Sequence, residues 1–266
     1  MPDTKLPIPQ YLIAADIQEG TLRYVWDDWK TLSMLEYLDP ELTGMLQRIS
    51  QRAELAFMCA TAEWIVYRFA RLLDTSIAWA YLQAAWAMIV NVRYCGYGTG
   101  NWWQEYSEAG DWTGPVRGVI CDAFERLEIA FQQLHLERTD PVRRAGLIAT
   151  LAAHIMPNAE PYKRWSQAVL QRLILLEPRD ADDKLGDVVP RQAMDPALSF
   201  DVAQTEDLVN RFLASLDHNA NIFLSSPEGM LEVDDAGERF MGVPYVFDIE
   251  ADRKERRKSG NPDGDE

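Results

Sequence analysis

Three histidines, three cysteines and a large supply of carboxylates are what this chain offers for chemistry. Their spacing decides what that chemistry can be. His135, His154 and His218 lie far apart and form neither HExxH nor Glu-x-x-His, the spacings that put two metal ligands on one helix face. The run CGYGTGNWW at 95–103 carries three glycines, but it follows a helical pattern and lacks the Gly-Lys-Ser/Thr ending of a phosphate loop. It reads as a helix stop and a flexible connection. Asp217–Glu228 (DHNANIFLSSPE) sets Asp217, Asn219, Asn221, Ser225 and Glu228 at calcium-loop positions 1, 3, 5, 9 and 12. Ile222 stands where the sharp turn needs glycine, and Pro227 suits the first turn of a new helix capped by Ser226. The adjacent pairs Asp27–Asp28, Asp182–Asp183 and Asp234–Asp235 point to opposite sides of a strand or diverge on a helix. No GxSxG nucleophile signature is present. These patterns favour a non-enzymatic protein with no metal or cofactor.

The elements that would position these residues are helical over most of the chain. Asp39–Pro40–Glu41 supplies a cap, a first-turn proline and an early acid. Apolar residues then recur every three or four positions from Leu42 to Tyr67, which predicts one long helix over about 40–73. Thr75–Val92 runs eighteen residues without a charge and holds Gln83 and Asn91. It reads as a core helix packed on all sides rather than a membrane span. Further helices follow from Thr113–Gly114–Pro115, from Thr139–Asp140–Pro141, and over Glu160–Leu176. Past Glu177 the regularity fails: 177–204 is rich in proline and aspartate, Thr205–Leu216 is a further helix, and Phe240–Ile249 suits an edge strand or a strap because of Pro244. The expected fold is all-α, a single domain of about six to eight helices. Residues 1–176 form its Trp-rich core, 177–252 an irregular acidic layer on that core, and 253–266 a disordered tail.

Charge is the most localised feature. The chain carries a formal −16, and residues 176–252 alone hold eighteen Asp and Glu against five Lys and Arg, a balance of −13. Such a field attracts a basic protein and repels nucleic acid and anionic membrane. The expected partner surface combines Asp180, Asp182, Asp183, Asp187, Glu232, Asp234 and Asp235 with the aromatic residues Tyr97, Trp102 and Trp103, since Trp and Tyr most often dominate interface energetics. The first twenty residues show no basic region followed by an apolar block, and Cys59, Cys95 and Cys121 form no CxxC pair. Both features suit reduced thiols and a cytoplasmic setting.

In character the acid-rich stretch 177–252 and the aromatic segment Tyr94–Trp112 resemble the acidic helical immunity proteins that neutralise bacterial toxins. That resemblance implies one-to-one binding that blocks a toxin's active site, and it assigns no residue roles. A carboxylate-using helical hydrolase or transferase, and a helical structural or regulatory module, are the other two readings open to the sequence.

Overall fold

A helix buried along its whole length organises the chain. In the computed structural model, which describes residues 7–28, 38–95, 112–134, 141–232 and 240–260, all nineteen residues of Gln51–Phe69 are buried. Ten α-helices appear among the described residues: α1 (Gln10–Ala15), α2 (Pro40–Leu46), α3 (Gln51–Phe69), α4 (Ser76–Val90), α5 (Val119–Gln132), α6 (Val142–Ile155), α7 (Glu160–Leu176), α8 (Thr205–Ala214), α9 (Pro227–Leu231) and α10 (Ile249–Gly260). Helices α4, α5, α6 and α7 pack around α3. The result is a single all-helical domain, with two isolated β-bridges and no strand among the described residues.

The uncharged stretch 75–92 becomes α4, most of whose side chains are buried in the protein core. No described helix is long and apolar enough to cross a membrane. Trp64, Trp79, Trp86 and Trp165 are buried in the same core. Asp39 caps α2 as its sequence suggests, accepting from the Glu41 backbone N–H at 2.9 Å.

Two expectations fail. The helix predicted over 40–73 is broken between α2 and α3, because residues 48–50 pair with another part of the chain. Ile49 bridges Pro178 in antiparallel fashion, Ser50 N–H donates to the Glu177 carbonyl, and Arg179 N–H donates to the Arg48 carbonyl. Ser50 then restarts the helix by accepting from Ala53 N–H. The tail from Arg253 is helical as far as Gly260 instead of disordered, because its arginines and Asp252 pair with charges of the domain. Phe240–Ile249 forms a strap, not a strand.

Four charged residues sit inside the central helix, and each ties down a segment of a different kind. Arg52 pairs with Asp252 of α10 at 2.7 and 2.8 Å. Glu54 takes the Arg179 guanidinium. Glu63 takes Arg191, from the 3₁₀ turn Arg191–Met194, at 2.7 Å. Arg68 donates to the Glu19 and Thr21 carbonyls of the N-terminal segment. A desolvated charge is tolerable only when paired, so these residues constrain where the irregular segments can lie.

Candidate functional site

The acidic loop after α7 sits on the N-terminus of α3. The first N–H groups of a helix have no partner within it. Here Gln51 N–H donates to the Lys184 carbonyl at 2.9 Å and Arg52 N–H to the Leu185 carbonyl at 3.0 Å. Gly186 is required at this turn: its φ is +73°, and a Cβ would lie 2.3 Å from the Ser50 Cβ. Asp183 supports the turn by accepting from Gly186 N–H at 3.2 Å. Carboxylates at this place also meet the positive end of the α3 dipole.

Helix α10 covers the loop with guanidinium groups. Arg253 donates to both Asp187 oxygens, and Arg256 reaches Asp187, Asp183 and, at 3.1 Å, Asp252. Burial alone would raise the Asp187 pKa, but the hydrogen bonds and charges of Arg253 and Arg256 outweigh it and hold the carboxyl below its ordinary value. Glu177, buried beside this network, behaves oppositely. Burial, reinforced by the neighbouring Asp187 charge, pushes it up to about 7 against the pull of Arg256, a backbone hydrogen bond from Asp187, and Arg253.

A second surface is built by the strap. Tyr245 lies at φ +60°, a left-handed conformation uncommon for a bulky residue. It is held there by its hydroxyl, which donates to the Ser225 carbonyl at 2.6 Å, and by ring contacts with Tyr94 and His218. Asn210 fixes the strap's end, donating to the Phe247 carbonyl and accepting its N–H at 2.9 and 2.8 Å. Met241, Val243 and Val246 are left facing solvent.

Of the residues read as a partner surface, Asp180, Asp182 and Glu232 are exposed. Asp183 and Asp187 lie together but under α10. Asp234, Asp235, Tyr97, Trp102 and Trp103 fall outside the described residues. The calcium-like loop is a buttress in which the side chains diverge. Asp217 accepts from Asn219 and Ala220 N–H, whereas Asn221 turns inward to the Ala80 carbonyl and Gln83 of α4. Ser226 caps α9 as expected. No group of three or more His, Cys, Asp or Glu suited to a metal occurs among the described residues.

Charged residues in α3 and α10 were not singled out by motif, and they carry most of the electrostatics. Glu63, fully buried, also accepts from Trp86 Nε1 at 2.7 Å and lies beside the stacked Tyr11, Trp64 and Trp165 rings. Burial, with the Glu63 charge added, pushes the nearby Cys59 thiol up and keeps it protonated. Two open grooves, of about 550 and 610 Å³, lie near α1 and beside Pro178, and neither is lined by Glu63 or Glu177. Comparison with protein-family models, curated proteins and solved structures returns no match.

Proposed function

We propose that this protein binds and neutralises, or escorts, a basic protein partner. One observation carries the reading. Most described cations of the C-terminal part are held in ion pairs within the chain: Arg179 on Glu54, Arg191 on Glu63, Arg211 on Asp207, and Arg253 and Arg256 on Asp183, Asp187 and Asp252. The exposed Lys184, Lys254 and Arg257 make none among the described residues. Asp180, Asp182, Glu206, Glu228, Glu232 and Asp248 remain exposed and make no ion pair among the described residues. An excess of exposed, unpaired carboxylates over exposed, unpaired cations accelerates encounter with a cationic protein, and apolar side chains such as those on the strap then slow dissociation. The concrete form of the proposal is an immunity-type inhibitor that occupies a toxin's active site.

The test is affinity capture from the source cells with the wild-type chain and with a D180N/D182N/E232Q variant. We expect the wild type to retain a basic protein in one-to-one ratio and the variant to lose it. Equal retention by both would remove this face from the interface.

A further inference from the structure

Helix α10 is attached through charge rather than through apolar burial. Of residues 249–257, Ile249 is the one whose side chain packs against the apolar core, while Ala251, Lys254, Glu255 and Arg257 are exposed. Apart from an Ile249 N–H donated to Glu206 at 3.4 Å, the contacts seen among the described residues are ionic: Asp252 on Arg52, Arg253 on Asp187, and Arg256 on Asp183 and Asp187. The last fully buried apolar anchor is Phe247, just upstream, whose N–H and carbonyl are both held by Asn210. Asp248 marks the junction and caps α10 through the Glu250 and Ala251 N–H groups.

The loop beneath is held independently of α10. The Lys184 and Leu185 carbonyls are fixed by α3 backbone N–H groups, and Gly186 is packed on Ser50. Asp183 and Asp187 therefore keep their positions when α10 leaves, a preorganised receptor that needs no reordering to accept another ligand.

We propose that α10 is an intramolecular ligand, occupying Asp183 and Asp187 in cis until a helical segment of the basic partner, presenting two guanidinium groups one turn apart, displaces it. This rests on the reading that the partner is cationic. The energetics favour exchange over simple release. Arg256 is 9% exposed and Asp187 17%, so removing the guanidinium alone strands a desolvated carboxylate. Replacing one guanidinium by another preserves the pairing of Asp183 and Asp187, and an acid beside the first arginine of the incoming segment takes over the buried Arg52 from Asp252. Arginine is selected over lysine because its planar fork meets carboxylates at two points.

The experiment uses the full chain carrying R253A/R256A and a fluorescent peptide of sequence IEADRKERRKSG, with anisotropy read at about 50 mM salt. We expect the variant to bind the peptide at least about ten-fold more tightly than the wild type, and a further D183N/D187N change to abolish the gain. Hydrogen exchange should show faster exchange over 249–260 with α3 protection unchanged. Peptide affinity no higher than that of the wild type, with α3 still protected, would overturn the proposal. If the variant does not fold, exchange over 249–260 in the wild type is followed as free peptide is added. Acceleration supports displacement and constancy refutes it. Capture of a basic partner with α10 protection unaltered would refute the cis ligand alone, whereas peptide exchange without any captured cationic protein would count against the binding reading alone.

Discussion

At the scale of single residues, the informative positions are charges in places where charge is costly. Glu63 has no exposure, and its Arg191 partner is the charge that makes that burial tolerable. Arg191→Ala should cost about 3–5 kcal/mol in urea unfolding, because it leaves an uncompensated carboxylate inside the core. A loss within the error of a surface substitution would contradict the role given to the pair. Glu177 supplies a pH signature. Its folded value of about 7 lies above the ordinary carboxyl value of 4.5, so the native state holds a proton that the unfolded chain releases. The stability this contributes is complete below about pH 4.5 and declines as pH rises from there through about 7, by roughly 3 kcal/mol in all. Glu177→Gln should flatten stability between about pH 5 and 8. A wild-type curve that is already flat there would refute the assignment. Asp187 has the opposite sign: its lowered value gives stability above the ordinary aspartate pKa that is lost as pH falls.

At the scale of elements, apolar periodicity and caps made α4, α7 and α8 legible in the sequence, and the Asp39 cap made the start of α2 legible but not its stop. The break at 47–50 was not legible, because the 177–179 strip that pairs with it lies more than a hundred residues away. Helix α10 was hidden for a related reason. Its charged sequence resembles a solvated tail until Arg52, Asp183 and Asp187 are brought beside it. The acidic residues themselves were visible as a block, but not their division into caps, counter-ions and free carboxylates. The strap follows the same logic, with Asn210 on α8 supplying a donor and an acceptor to Phe247. Asn210→Ala should cost about 1–3 kcal/mol. It should also raise hydrogen exchange over 240–248 before the rest of the domain. Unchanged exchange there would show that ring packing at Tyr245 is sufficient.

At the scale of the whole molecule, ion pairing moves charges together without removing any, so the net −16 stands whatever pairs form inside the chain. That charge leaves a field around the protein which solvent ions screen over about 8–10 Å at physiological salt. The exposed carboxylates on the C-terminal side place part of that field where a partner can meet it. The central claim, binding of a cationic protein through this face, is tested most directly by the association rate of the captured partner as ionic strength rises from about 20 to 300 mM. The account predicts a fall of about ten-fold or more, with a much shallower dependence for D180N/D182N/E232Q. A rate insensitive to salt, or one equally sensitive in the variant, would contradict it.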